Sequence, residues 1–170
     1  MYTRIYWIKQ EKLGSKLFGI MSKPRGRDWL EDEIKRIKLK GADYIISLLE
    51  REEINNLGLE KEGEYCEKYG MNYINFPIED VNTPVDENKF LELVEDLSKK
   101  LNEGKKLIIH CRMGIGRSSI LASGILIKQG VNVRDVFEIL SKHRELKVPD
   151  TVEQEEWVSK ISQRIKLSKD

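Results

Sequence analysis

Leu107-Ile108-Ile109-His110-Cys111-Arg112-Met113-Gly114-Ile115-Gly116-Arg117-Ser118 is the stretch on which the fold turns. The apolar run Leu107–Ile109 reads as a buried strand, and the apolar, small-residue segment from Ser118 to Ile127 reads as a helix. The loop between them therefore lies where a strand ends and a helix begins. A helix N-terminus presents unpaired backbone N–H groups and partial positive charge, which suit an anion. Gly114 and Gly116 let the backbone curl so that its amides point inward as a nest. A cysteine, five residues, an arginine and a serine in that setting make a loop able to wrap a phosphate.

Each residue type has a chemical reason. The nucleophile such a loop supplies is a thiolate, here Cys111, and a helix N-terminus beside an arginine favours that form. Arg117 offers a planar fork for two phosphate oxygens and grips them harder as charge shifts in the transition state. The Ser118 hydroxyl can donate to the Cys111 sulfur and help it leave a phospho-cysteine. His110 is expected to orient the loop through backbone hydrogen bonds. Substrate phosphate would be cradled by Arg112, Met113, Gly114, Ile115, Gly116 and Arg117. The Gly-x4-Gly-Lys-Ser/Thr loop of nucleotide triphosphatases is absent from the chain.

His-Cys-x5-Arg-Ser after a strand resembles the signature of the cysteine-dependent tyrosine and dual-specificity phosphatase superfamily. The resemblance extends to other segments. Pro77-Ile78-Glu79-Asp80 is similar to the loop that carries the general-acid aspartate. Lys23-Pro24-Arg25-Gly26 and the segment Asp28–Ile34 resemble the N-terminal part of the kinase-associated phosphatase-like subgroup. Val148–Gln154 resembles the late loop and helix start of its compact microbial members. The resemblance implies that Asp80, rather than its neighbour Glu79, protonates the leaving oxygen and later takes a proton from water. It also implies that Gln154 stands near the phosphate and positions the hydrolytic water; the alternative is a first-turn surface residue. Arg25 could reach a substrate phosphate or pair with an acid in the next helix, the structural role being favoured, and Glu52 could line the pocket but reads rather as an exposed charge among Glu50, Arg51 and Glu53.

The chain has 170 residues, net charge +1, 39% hydrophobic and 35% charged residues, which suit one globular catalytic domain over residues 1–170. That charge gives no global field for nucleic acid or membrane, so attraction to phosphate must be local. Two cysteines, Cys66 and Cys111, cannot form a disulfide framework, and a cytoplasmic, reducing compartment is expected. With His110 and His143 as the histidines, a zinc site has no support. No cofactor or metal is expected. Cys66 reads as a packing residue, with a backup disulfide to Cys111 as the alternative, and His143 as a solvated residue that complements the dipole of its helix.

Periodicity outlines the rest. Strands are expected over Arg4–Ile8, Lys16–Met21, Tyr44–Leu49, Met71–Pro77 and Lys106–His110. Helices are expected after Asp28 as cap, over Leu59–Tyr69, Asp86–Asn102 and Ser118–Gln129, and after caps at Asn132 and Asp150; Glu50–Asn56 is a polar loop or short helix. Such alternation predicts an α/β fold, a mainly parallel twisted sheet flanked by helices on both faces, with the site at the carboxyl ends of its strands. The expected substrate is phosphotyrosine or phosphoserine/threonine in proteins, because Glu50–Asn56 has no aromatic residue to grip a phenyl ring deeply. A phosphoinositide, RNA 5′-phosphate or small phosphorylated metabolite is the alternative, and a non-enzymatic phosphate-binding module the third reading. Phosphate, vanadate and tungstate are expected inhibitors, and a monomer the expected state.

Overall fold

A computed structural model describes residues 1–168. Five strands form one sheet in the order β1-β2-β5-β3-β4. They are β1 (Tyr6–Ile8), β2 (Phe18–Met21), β3 (Tyr44–Ser47), β4 (Asn72–Asn75) and β5 (Leu107–His110). All neighbours pair in parallel except β1, which runs antiparallel along β2. The apolar run Leu107–Ile109 thus occupies the central strand, buried on both faces as parallel sheets demand.

Seven helices cover the sheet: α1 (Leu30–Leu39), α2 (Arg51–Asn56), α3 (Glu62–Lys68), α4 (Glu87–Asn102), α5 (Arg117–Lys128), α6 (Val136–Arg144) and α7 (Val152–Leu167). The alternation of side chains along β5 sorts the core into two halves. Leu107, Ile109 and Cys111 face the cluster built with α4 to α7, where Phe90, Leu97, Ile120, Leu121, Ile125 and Ile161 are buried. Ile108 faces the smaller cluster of Leu30, Ile34, Ile37, Leu59 and Cys66. Helix α5 is buried from Arg117 to Ile127 and packs against α4, α6 and α7. That explains its apolar composition on every face.

Helix starts differ from the expected caps. Asp28 lies within a short 3-10 turn, and α1 starts at Leu30 after Trp29, which makes no side-chain cap. Asn132 accepts from the Arg134 N–H in a separate turn, and α6 begins only at Val136, with Asp135 at its N-cap position. Thr151, not Asp150, caps α7, in a capping box with Gln154. The segment Glu50–Asn56 resolves into a helix, since Glu50 and Glu53 form another such box around α2. Among the described residues no helix is long and apolar enough to cross a membrane.

Candidate active site

The loop 111–116 joins β5 to α5, and its backbone carbonyls are tied outward. The Lys23 N–H donates to the Arg112 carbonyl at 3.1 Å. Arg144, buried at the end of α6, donates from Nε to the Gly114 carbonyl at 2.7 Å and from Nη2 to that of Met113 at 3.1 Å. Its guanidinium stacks over the Tyr6 ring, 4.1 Å from the centroid. With the carbonyls held outside, the loop amides are free to face inward, and the Gly114 N–H donates to the Cys111 Sγ at 3.2 Å. Gly114 has φ +69°, and a Cβ there would lie 2.7 Å from the Met21 carbonyl oxygen, so both conformation and space require glycine. The Ser118 hydroxyl is buried and makes no hydrogen bond, so the expected donation to Cys111 is not formed; the Gly114 amide takes that place.

Arg117 opens α5 and is 2% exposed. Its Nη1 donates to Glu53 Oε2 at 2.8 Å and to the Ile78 carbonyl at 2.9 Å, and its Nη2 donates to Glu53 Oε1 at 3.0 Å. Nη2 also lies 3.1 Å from Asp80 Oδ1. Burial works against the guanidinium charge, but Glu53, Cys111 and Asp80 overcome it and hold its pKa above the ordinary value. For Glu53, burial opposes ionisation; the hydrogen bonds from Arg117 and the Glu50 amide, with the charges of Arg117 and Arg112, prevail and hold its carboxyl below the ordinary range. Arg112 stands 3.5 Å from the same carboxylate. Glu52 is exposed, as its sequence context suggested. Its neighbour Glu53 is one residue that sequence reasoning missed. The available signal was the Glu50-x-x-Glu53 spacing of a capping box, which folds the Glu53 carboxylate back onto the Glu50 N–H.

Asp80 sits in the loop after β4, its side chain 53% exposed. It is not a free tip. Oδ1 faces Arg117 and accepts from the Val81 N–H at 3.0 Å. Val81 itself has φ +63°, a rare conformation for a β-branched residue. The loop is fastened further on by Gln154, which is fully buried rather than on the surface. Gln154 Nε2 donates to the Asn82 carbonyl at 3.0 Å, while Oε1 accepts from the Asp150 and Thr151 amides at 3.1 and 3.3 Å. Its amide therefore ties the Asp80 loop to the start of α7 and is committed to backbone groups. Asp150 and Gln154 lie directly over Gly116, where a Cβ would collide with both side chains. Burial and the nearby Asp80 raise the Asp150 carboxyl above its ordinary value, against the pull of Arg117.

His110 has its Nδ1 3.1 Å from the Cys111 carbonyl and its Nε2 2.6 Å from Glu62 Oε1 on α3. The expected backbone contact is present; its carboxylate partner was not foreseen. Arg25 pairs with Glu33 at 3.0 Å, the structural role anticipated for it. Cys66 is buried in the half of the core opposite Cys111, and neither is in a disulfide. His143 accepts from the Lys9 N–H at Nε2 and donates from Nδ1 to the Ile139 carbonyl. Those two contacts tether the end of β1 to the end of α6. Among the described residues no cluster of three or more His, Cys, Asp and Glu is arranged to hold a metal ion.

A strand-loop-helix cradle with a cysteine at its base, an arginine at its rim and an aspartate from a facing loop defines a cysteine-based phosphatase. Residues 37–163 match the dual specificity phosphatase catalytic domain, and the chain belongs to that family. It is 30% identical over 98 residues, 56% of its length, to 067L of Invertebrate iridescent virus 3, a candidate tyrosine phosphatase of which the match covers 38%. The chain spans less than half the length of the curated relatives it matches. A crystal structure of a kinase associated phosphatase with its catalytic-site cysteine replaced by serine superposes with TM-score 0.90 over 99% of both chains, at 19% identity. PTPMT1 in complex with PI(5)P superposes with TM-score 0.74 at 18% identity, over 87% of this chain and 91% of that one. Both likenesses are of fold.

Proposed function

We propose that this phosphatase acts on phosphotyrosine and phosphoserine/threonine in proteins, through a phospho-cysteine intermediate, with residues 1–170 as one catalytic unit. The observation that carries the reading is the state of Arg117. Glu53 holds the guanidinium with both oxygens, and Asp80 occupies the remaining side of Nη2. A phosphate dianion entering the cradle competes with Asp80 for that nitrogen. Displacement of Asp80 delivers its carboxyl to the leaving oxygen as the substrate is gripped.

In the first step the Cys111 thiolate attacks phosphorus, the S–P bond forms, the ester P–O bond breaks, and Asp80 gives its proton to the departing oxygen. Loop amides and Arg117 take up the equatorial charge. In the second step water attacks phosphorus, Asp80 takes its proton, and the thiolate leaves. Gln154 assists by fixing the Asp80 loop. Ser118, whose hydroxyl is unpaired, can turn to the sulfur as charge returns to it.

For the substrate, the support is the neutrality of the loop. Between Cys111 and Arg117 the one cation is Arg112, already facing Glu53, and Met113 is exposed beside it. This rim suits a single phosphate on an uncharged stem better than a polyanion. A cleft of about 310 Å³ lined by Ile115, Pro149, Asp150 and Val152 adjoins the loop and has room for a flanking side chain. Rates on a panel of phosphopeptides, inositol phosphates and RNA 5′ ends test the assignment; phosphopeptides should be turned over fastest. Faster turnover of either other class would reassign the substrate, and no turnover even of an aryl phosphate would leave a binding module. Vanadate and tungstate should inhibit. Chelation should leave the rate unchanged, since thiolate and guanidinium do the work that a metal pair does elsewhere.

A further inference from the structure

We propose that Glu62 is a positioning residue for Cys111: through His110 it holds a proton behind the nucleophile, fixing the Cys111 peptide and favouring the thiolate. The proposal rests on the reading of Cys111 as a thiolate nucleophile. Its basis is a matter of donors and acceptors. A carbonyl oxygen only accepts, so His110 Nδ1, 3.1 Å from the Cys111 carbonyl, carries a hydrogen. The other ring nitrogen lies 2.6 Å from a carboxylate oxygen, a distance that two lone pairs do not tolerate, so a proton lies there too. Imidazole and carboxylate therefore share one proton beyond those of a neutral ring and an ionised acid. Both side chains are sealed from solvent, at 0% and 1% exposure.

The proton stays on the imidazole. Burial works against the charged ring, but the Glu62 charge and hydrogen bond, with the Cys111 carbonyl, outweigh it and raise the His110 pKa; Lys23, in the loop after β2, opposes them. The remaining groups facing the pair are neutral. Cys66, one turn along α3, has its thiol pushed up to about 12 by burial and by Glu62. Tyr73 on β4 has its phenol raised by the same two causes, despite a hydrogen bond with Ser47 on β3.

Stability alone does not account for such a pair. A buried ion pair is commonly no better than apolar packing of the same volume. This one also leaves Glu62 Oε2 buried without a hydrogen-bond partner. Its location supplies a reason. β5 presents His110 to α3 on one face of the sheet and Cys111 to the opposite face. The imidazolium thus pulls the Cys111 carbonyl back, away from the cradle, and places positive charge one peptide behind the sulfur.

Glu62→Gln separates charge from shape. A glutamine amide can donate to a neutral His110 Nε2 while Nδ1–H still reaches the Cys111 carbonyl, so the contacts survive and the extra proton does not. The readout is the pH dependence of Cys111 alkylation by iodoacetamide in the full chain, followed by peptide mass. It needs no turnover, so it stands apart from the test of phosphatase activity. The midpoint should move up by about one pH unit, roughly a tenfold slower reaction on the acid side. A purely structural role would lower the folded fraction without moving the midpoint, and an unmoved midpoint overturns the proposal. Should Glu62→Gln fail to fold, the nitrogen resonances of His110 in the wild-type protein decide instead. Two protonated ring nitrogens at pH 7.5 support the proposal, and a neutral ring overturns it.

Discussion

Glu53 shows what one residue can contribute without touching substrate. Its two oxygens fix the plane of the Arg117 guanidinium, so in the proposed reaction the remaining N–H groups would meet the phosphate already aimed. Removing one acceptor by Glu53→Gln should cost about 1.5–3 kcal/mol of that hydrogen bonding, read as a raised KM and a kcat/KM lower by roughly tenfold or more. Arg117→Lys should damage KM and kcat together, since an ammonium cannot make the fork; near-normal kinetics would make the arginine structural. The same pair sets an acid limit. Because the folded state holds the Glu53 carboxyl below its ordinary 4.5, its stabilising contribution is complete above that pH and is lost as pH falls through the depressed value. Acid unfolding of Glu53→Gln should therefore lose part of its dependence in that window. That Cys111, Arg117 and Asp80 belong to one place was legible because each sits in a contiguous motif. Glu53 and Glu62 were not, because each reaches the site from a helix far away in sequence, and a charged residue in a charged stretch looks solvated until tertiary packing turns it inward.

Among the elements, the loop after β4 and the start of α7 behave as one piece. Gln154 satisfies three backbone groups across their junction, so Gln154→Ala leaves the Asn82 carbonyl and two amides unpaired. The expected loss is about 1–3 kcal/mol of stability together with slower turnover, as Asp80 loses its fixed anchor. Calorimetry and steady-state rates on one aryl phosphate check both, and unchanged values in both would return Gln154 to a bystander. Asp80→Asn should cost ~10²–10⁴-fold on phosphopeptides and much less on activated aryl esters. Glu79→Gln should change little, since it is Asp80 that faces Arg117; a larger loss there would move the acid by one residue. The existence of nearly every element was readable from periodicity, whereas Asp28, Asn132 and Asp150 were misjudged as caps. A cap depends on which residue leaves helical geometry first, and Thr151 with Gln154 wins over Asp150 because the box closes on Thr151.

For the whole molecule, the buried helix α5 is the axle. Phe90 on α4 packs edge-on to Trp157 of α7, ring centres 5.0 Å apart, and bears on Gly124 of α5, where a Cβ would lie 2.9 Å from Val94. Phe90→Ala should lower unfolding free energy by about 3–5 kcal/mol, measured by denaturant titration, while kcat well below the melting temperature stays near wild type. The α/β class was legible because strand and helix periods alternate cleanly and Leu107–Ile109 of β5 reads apolar without a break. The antiparallel pairing of β1 was not, since a three-residue strand carries no sign of direction.

The family match opens at residue 37, inside α1, yet the phosphate cradle leans on what comes before it: the Met21 carbonyl behind Gly114, the Lys23 amide on Arg112 and the Tyr6 ring under Arg144. Recognisable signature and cooperative folding unit thus have different borders. A fragment trimmed to the signature would retain Cys111, Arg117, Asp80 and Gln154 and still lack the wall they are built against. It would also bare the edge of the central strand, an invitation to pair with other copies. Annotation by motif would pronounce such a fragment complete, and size-exclusion chromatography should find it aggregated.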